Sequence, residues 1–397
     1  MKDPLPFKDM SPLDPPSHRF ESFGGIFSFT RPPALVYVDR EYMSELGLEG
    51  GEAWLEEKSI LSAPTEVHLN ITHRCPAGCS HCYMDSTPAS SSGDMEIGRF
   101  KSIIDSIAQM KVFHVAIGGG EPVLHPDIAE MFRYCRSMSI VPNMTTNGLY
   151  IPGFILDEPG LAGQVNVSMD GIGDSYMETR GHDGFSKADR SLRLLAKSGA
   201  RAGINCVVSR KNFLALEKIV EYAESIGLGE VEFLRFKPAG RASGIYSGMK
   251  LTADENVSLF PKIMDICARH DIRVKLDCSF APMICRHDPD PKLLDFFGIP
   301  GCDGGNALAG IGVDGRVSPC SFIREGSFDS LELPSAWTGG ETFREFRTWE
   351  FTAPQPCASC EYLKICRGGC HAVSRFVTGG VLSPDPECPR VHEFNKR

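Results

Sequence analysis

Apolar positions in the middle of the chain follow two alternating spacings, one typical of buried strands and one of amphipathic helices. From Glu66 onward six short apolar runs predict strands, and segments with helical spacing separate them. The predicted strands are EVHLNIT, VFHVAIGGGEP, SIVPNMTTNG, QVNVSMDG, ARAGINCVVS and VEFLRFKPAG. The helical segments between them include MEIGRFKSIIDSIAQM, DIAEMFRYCRSM, ADRSLRLLAKSGA and FLALEKIVEYAESIG. Such alternation predicts an α/β fold whose parallel strands are joined by right-handed crossovers.

The flanking segments divide the chain further. Residues 1–62 begin rich in proline and contain one predicted strand, ALVYVD, and one short helix, EYMSELG. We expect this segment to cover the main domain by packing against it. The predicted domains are a covering segment at 1–62, an α/β domain at 63–240, a bridging region at 241–300 and a cysteine-rich domain at 301–397.

Composition narrows the classes of protein that remain. The chain has 397 residues and a net charge of −10, which argues against a general nucleic-acid binder. It contains no apolar run of about 18 residues, and its N-terminus has no apolar signal region, so we expect a cytoplasmic protein that does not bind membranes. Fifteen cysteines in grouped spacings favour metal or cluster binding over disulfides in that compartment.

The stretch ITHRCPAGCSHCYMD, which follows the first predicted strand, carries the clearest chemical signal. Cys75, Cys79 and Cys82 are separated by three and then two residues. Three thiolates on one loop can hold three irons of a [4Fe–4S] cube and leave the fourth iron open to a ligand. The alternative is a zinc site in which His73 or His81 supplies the fourth ligand.

Other polar residues fall where the later predicted strands end. Because parallel β/α barrels carry their chemistry at the carboxyl ends of the strands, we expect these residues to share one site. They are Gly119, Gly120, Glu121 and Pro122 after strand two, Asn147 after strand three, and Ser168 and Asp170 at the end of strand four.

The cysteine spacing and the aromatic Tyr83 after it resemble the signature loop of radical S-adenosylmethionine (SAM) enzymes, and GGGEP resembles that family's GGEP motif. The resemblance implies a partial (β/α)6 barrel, a [4Fe–4S] cluster that binds SAM, and reductive cleavage of SAM to a radical that abstracts hydrogen. It also implies an electron donor of the flavodoxin or ferredoxin type. The SAM contacts implied are Tyr83, Gly119, Gly120, Glu121, Pro122, Asn147, Ser168, Asp170 and Arg180.

A second cysteine framework begins near residue 300. Its spacing resembles the SPASM domain, an extension of radical SAM proteins that holds two auxiliary iron–sulfur clusters. The resemblance implies one cluster on Cys302, Cys320 and Cys370, and another on Cys357, Cys360, Cys366 and Cys388. Zinc remains the alternative. Seven cysteines are one ligand short of two tetrads, and this is true of zinc sites and of iron–sulfur clusters alike.

The first of these sets has three members, so an eighth cysteine is needed to close it. Upstream cysteines are Cys278 and Cys285, and we favour Cys285; if neither binds, that cluster has an open iron. We expect the remaining cysteines, Cys135, Cys206 and Cys267, to be small buried apolar residues.

The resemblance implies a peptide or protein substrate first, since SPASM proteins mostly modify peptides. A tetrapyrrole or other small molecule is the alternative, and a non-catalytic iron–sulfur carrier is a third reading that the intact SAM motifs disfavour. Ser321 stands where sulfatase-activating relatives have an aspartate, which disfavours that activity. No catalytic base is evident: His68, His114, Glu232 and Arg235 are expected to be structural polar groups.

Overall fold

The computed structural model describes residues 17–30, 33–55, 57–89, 93–290, 292, 294, 301–323 and 328–396. Most of the proline-rich start lies outside the described residues. The described strands are β1 Ser17–Glu21, β2 Gly24–Thr30, β3 Pro33–Asp39, β4 Glu66–Thr72, β5 His114–Gly119, β6 Val141–Thr146, β7 Val165–Ser168, β8 Ala202–Val208, β9 Glu230–Arg235, β10 Arg273–Leu276, β11 Leu308–Ile311, β12 Arg316–Ser318 and β13 Phe328–Asp329.

Helices separate most of these strands. They are α1 Arg40–Glu45, α2 Ile97–Gln109, α3 Ile128–Ser137, α4 Gly153–Asp157, α5 Asp174–Arg180, α6 Phe185–Ser198, α7 Leu216–Ser225, α8 Ala242–Met249, α9 Ala253–Arg269, α10 Ala281–Cys285, α11 Leu333–Gly339, α12 Glu341–Thr352, α13 Leu363–Cys366, α14 His371–Thr378 and α15 Pro389–Phe394. Within the described part of the chain, none of them combines the length and the apolar character that crossing a bilayer requires.

The central sheet contains all six strands predicted from the apolar pattern. Its order is β10-β9-β8-β7-β6-β5-β4-β11-β12-β13, and the pairs from β10 to β11 are parallel. The predicted parallel α/β architecture is therefore confirmed. The sheet has more strands than predicted, because β10 pairs with β9 at one edge and β11 of the cysteine-rich region pairs with β4 at the other.

Helices pack on the outer face of this sheet and bury its apolar side chains. On α2 the residues Phe100, Ile103, Ile104 and Ile107 recur at helical spacing, and each is completely buried. The strand residues on the opposite, inner face are polar at alternate positions, as the two-residue period of a strand requires. The core thus lies between strands and helices, and the inner face is left for polar groups.

The inner face curves around a lumen. Glu66 on β4 and Glu232 on β9 are five strands apart in the sheet, yet their carboxyls are near enough to influence each other's charge. Asp303, just before β11, also acts on Glu66, and so closes the open side of the curved sheet. The cysteine-rich region therefore forms one wall of the lumen.

The N-terminal segment forms an antiparallel sheet in the order β1-β2-β3. Its strand β3 and helix α1 match the predicted strand and helix, whereas β1 and β2 were not predicted. The buried Arg19 guanidinium reaches from β1 to the barrel, where it donates to the carbonyls of Ala63, Pro64 and Lys111 at 2.8–3.0 Å. The described part of this segment therefore contacts the main domain through Arg19.

Candidate functional site

The cysteine loop begins where β4 ends and is held by the glycine turn after β5. Gly120 donates its N–H to the Thr72 carbonyl at 2.7 Å, and Glu121 donates to the Arg74 carbonyl at 2.8 Å. A Cβ on Gly120 would lie 2.3 Å from the Arg74 oxygen, and Gly119 adopts a φ of +119°. Glycine is therefore needed here because two backbone segments touch. The turn and the cysteine loop form one unit.

Three thiols of the loop converge. Cys79 influences the pKa of Cys75, and Cys82 influences that of Cys79. Two side chains donate N–H groups to these sulfurs: Asn147 Nδ2 lies 3.6 Å from Cys75 Sγ, and Arg180 Nη2 lies 3.2 Å from Cys79 Sγ. Burial raises the pKa of the Cys79 thiol and Arg180 opposes that rise. Sulfurs that accept hydrogen bonds beside a cation suit thiolate ligands of a metal cluster.

A buried network fixes the Arg180 guanidinium. Its Nη1 lies 2.6 Å from Asp170 Oδ2, and His81 Nε2 lies 3.1 Å from the same oxygen. Asp170 is fully buried, and its other oxygen accepts the Val207 N–H at 2.7 Å. Although burial opposes the charge, Arg180 and His81 lower the pKa of Asp170 to about 2.

This network adds contacts that the sequence did not predict. The Asp170 carboxylate accepts hydrogen bonds from protein donors, and Arg180 donates to Cys79. The predicted contact of both side chains with SAM stays a prediction, and their contacts with the cysteine loop orient that loop. Ser168, two residues before Asp170, is half-buried at the end of β7 and remains open to a ligand.

The Glu121 carboxyl lies between the glycine turn and the end of β6. It accepts hydrogen bonds from Thr146 Oγ1 at 2.6 Å and from the Asn147 N–H at 2.7 Å. Burial nevertheless raises its pKa to about 7. Pro122 follows, buried, at the start of a short 3-10 turn. Glu121 thus fixes the position of Asn147, whose amide reaches Cys75.

Tyr83 joins the cysteine loop to the C-terminal region. Its ring lies 4.9 Å, centroid to centroid, from that of Phe322, and Lys237 Nζ lies 4.6 Å from the Phe322 centroid. The predicted contact of Tyr83 with adenine stays a prediction. The structure adds that Phe322, two residues after Cys320, packs on the loop.

The C-terminal cysteines form two groups. In the first, Cys302 is near Cys320 and Cys370, and the thiols influence one another's pKa. Cys278 belongs to the same group, because Cys302 is among the groups that raise the pKa of its buried thiol. Four sulfurs therefore converge here, in number sufficient to close a cluster.

In the second group, a cavity of about 270 Å³ is lined by five cysteines: Cys285, Cys357, Cys360, Cys366 and Cys388. The Cys366 and Cys285 thiols form a hydrogen bond, which together with burial raises the pKa of Cys366. The structure thus places Cys285, our choice to complete the first group, beside the second group. Helix α10 carries Cys285 to the second group, while Cys278, on the turn before that helix, faces Cys302.

Other polar residues meet inside the lumen. His68 Nδ1 lies 2.7 Å from Ser321 Oγ, and His68 Nε2 lies 2.9 Å from Glu66 Oε1. His114 Nδ1 contacts the Asn143 amide at 3.3 Å. The sequence analysis did not predict the contact between His68 on β4 and Ser321, the residue after Cys320. The available signal was the alternation of polar residues along each strand, which marks the inner face.

Arg235 behaves as the structural group we expected. It is buried and pairs with Asp385 and Glu387 of the C-terminal region. Glu232 is half-buried, and among the residues that the structure describes its carboxylate makes no hydrogen bond. The expectation of a satisfied structural group is therefore confirmed for Arg235, and for Glu232 it stays a prediction.

Comparison with known families agrees with this geometry. The model of the radical SAM superfamily matches residues 69–223, and that of the SPASM iron–sulfur cluster-binding domain matches residues 302–361. Mycofactocin maturase MftC of Mycobacterium tuberculosis is 30% identical over 348 residues, which is 84% of each chain. The AdoMet-dependent heme synthase of Oleidesulfovibrio alaskensis is 26% identical over 334 residues, 80% of this chain and 85% of the relative.

Solved structures share the fold. SuiB of Streptococcus suis bound to S-adenosylmethionine superimposes with a TM-score of 0.74 at 18% identity and covers 95% of this chain and 99% of SuiB. A parallel curved sheet with a three-cysteine loop after its first barrel strand defines an enzyme that uses SAM and iron–sulfur clusters. The chain belongs to the radical SAM superfamily and carries the SPASM iron–sulfur domain.

Proposed function

We propose that this enzyme abstracts a hydrogen atom from a peptide substrate and that the resulting radical forms a new bond within the peptide. A second hydrogen would leave as a proton and an electron, and an auxiliary cluster would accept the electron. The observation that carries the proposal is the 30% identity with a mycofactocin maturase along 84% of both chains. A second observation supports it: SuiB bound to its precursor peptide SuiA superimposes with a TM-score of 0.73 over 95% of this chain. The heme synthases match at lower identity, so a tetrapyrrole substrate is the second candidate.

Cys75, Cys79 and Cys82 would hold the [4Fe–4S] cluster to which SAM binds. When bound, this pair of cofactors supplies the electron and the 5′-deoxyadenosyl radical that abstracts hydrogen. Around it, Asn147 and Arg180 donate to the sulfurs, and Asp170 acts as a positioning residue for Arg180. N–H donors to cluster sulfurs raise the reduction potential of a cluster.

For SAM itself we propose the half-buried surface around the cysteine loop. The turn of Gly119, Gly120, Glu121 and Pro122 would meet its methionine part, Ser168 its ribose and Tyr83 its adenine. Glu121 is suited to an ammonium group, because a buried carboxyl with a raised pKa gains from a nearby cation. Arg180 and Asp170, which contact the cysteine loop through Cys79, are two further proposed contacts of SAM.

Each C-terminal group would hold one auxiliary cluster. We propose Cys278, Cys302, Cys320 and Cys370 for the first, and Cys357, Cys360, Cys366 and Cys388 for the second. Thiolate ligands and reduced clusters persist in a reducing compartment, which supports a cytoplasmic location. An electron donor of the flavodoxin or ferredoxin type fits the need for single electrons.

The two candidate eighth cysteines can be told apart by replacement. Anaerobic reconstitution of the unchanged chain should give about twelve irons, since three [4Fe–4S] clusters form. Cys278→Ala should alter the electron paramagnetic resonance signal of one auxiliary cluster and lower the iron content by up to about four. Cys285→Ala is the matched control and should retain about twelve irons. The reverse pattern of iron loss would contradict the assignment of Cys278.

The peptide substrate is tested by incubation with short peptides encoded beside the gene. The reconstituted enzyme, SAM and a reductant should give a peptide that has lost hydrogen, with 5′-deoxyadenosine formed alongside it, as read by mass spectrometry. A reaction without SAM is the control and should leave the peptide unchanged. Conversion of a porphyrin precursor, with every such peptide left intact, would favour the second candidate instead.

A further inference from the structure

The lumen contains a buried acceptor that has no donor. Asn205 on β8 is 8% exposed, while its neighbours Ile204 and Cys206 are fully buried on the opposite, helix-facing side of the strand. Its side chain therefore faces the lumen. Asn205 Nδ2 donates to Thr145 Oγ1 at 3.4 Å, but within the described ranges Asn205 Oδ1 is buried without a hydrogen-bond partner.

Glu232 lies beside this acceptor. It pairs with Asn205 in the register of β8 and β9, so the two side chains project from adjacent strands into the same space. Lys275, its partner in the register of β9 and β10, binds Glu230 at 2.9 Å and also acts to lower the pKa of Glu232. Burial, with Asp277 and Glu230 adding to it, raises the pKa of Glu232 to about 7.

The opposite wall adds negative charge. Glu66 faces Glu232 across the lumen, and its contact with His68 helps to lower the pKa of Glu66 despite burial. Carboxylates around a space of low dielectric focus a negative potential that attracts cations. The walls near Asn205 and Glu232 therefore offer acceptors and negative charge together.

Leaving the buried Asn205 Oδ1 unpaired costs free energy, and a ligand that brings a donor recovers it. The half-buried Glu232 beside it offers a carboxylate to the same ligand. We propose that Asn205 and Glu232 form a subsite for a basic group of the substrate peptide, a primary ammonium or a guanidinium. This inference rests on the proposed peptide-modifying function. In the register of the sheet, Asn205 lies between Glu232 and Ser168 of the proposed SAM surface. The subsite would thus hold the basic side chain next to the radical source and select the residue that is attacked.

The first test measures binding of small probes to the reconstituted enzyme by calorimetry. n-Butylammonium and n-butylguanidinium should each bind at least about tenfold more tightly than neutral n-butanol, since hydrogen bonds to a charged partner are the stronger kind. Glu232→Gln should remove most of that preference. Glu221→Gln, at an exposed position on α7, is the matched control and should keep it. Equal affinity for the cations and for butanol in the unchanged enzyme would overturn the proposal.

Iron content and the thermal midpoint of Glu232→Gln show whether that variant is folded. Asn205→Ala is a second variant that should lose the same preference for the cationic probes.

The second test uses the modified peptide, with each Lys or Arg replaced in turn by Met. One replacement should lower kcat/KM at least about tenfold for the unchanged enzyme and much less for Glu232→Gln. Modification that is indifferent to every such replacement would refute the subsite but leave the proposed function intact. Absence of any peptide product would refute the function, while the probe titrations would still report on the cation site.

Discussion

Replacing Cys75, Cys79 and Cys82 together with alanine is expected to reduce formation of 5′-deoxyadenosine from SAM to the level of a reaction without enzyme. The physical reason is that removal of three thiolates leaves the cluster without ligands, so neither SAM nor the electron can be held. Iron content should fall by about four per chain, while the auxiliary clusters remain. The measurements are chromatography of the SAM products and an iron assay on the anaerobically reconstituted protein.

The matched control for this triple replacement is Cys267→Ala. Cys267 lies half-buried on α9, apart from the three cysteine groups. It should keep both its iron and its rate of 5′-deoxyadenosine formation. If the triple variant still cleaved SAM at the unchanged rate, the cluster would have to lie elsewhere.

The six barrel strands could be read from the sequence, because apolar periodicity reports burial directly. The sheet edges could not. Strand β10 has the sequence RVKL with alternating exposure, and β11 pairs with β4 from more than two hundred residues away. Neither pairing can be recognised from the local sequence, since each strand is short and the tertiary fold determines its partner.

The site shows a similar division. The resemblance to the SPASM domain implied the two C-terminal groups, but neither the resemblance nor the spacing says in which direction a sulfur points. Cys278 and Cys285 are seven residues apart, and only the turn and the helix α10 between them decide which group each one joins. Likewise, the position of Asp170 at the end of β7 predicted that this residue lies near the site. Its burial against Arg180 and His81 depends on contacts that the sequence does not reveal.

The barrel and the C-terminal region are joined by a buried ionic network. Arg235 Nη1 lies 2.5 Å from Asp385 Oδ2, Arg235 Nη2 lies 2.9 Å from Asp385 Oδ1, and Nη2 also lies 2.9 Å from Glu387 Oε2. Asp385 Oδ2 accepts the Cys370 N–H at 2.9 Å, and Tyr246 donates to Glu387 at 2.6 Å. Although burial alone would lower the pKa of Arg235, the two carboxylates raise it. The network therefore orients the backbone at Cys370 as well as joining two regions.

Asp385→Ala is accordingly expected to destabilise the protein by about 3–5 kcal/mol, because it leaves the Arg235 charge buried with one carboxylate fewer. The thermal midpoint of the anaerobic, reconstituted protein measures the effect. Glu158→Ala is the control, since it breaks an ion pair of the same chemistry with Arg133 at an exposed position and should change the thermal midpoint far less. Because Asp385 also accepts from Cys370, Asp385→Ala should disturb the spectrum of the first auxiliary cluster more than that of the second. Equal effects of the two replacements on the midpoint would mean that water reaches Arg235 and that the interface is not closed around it.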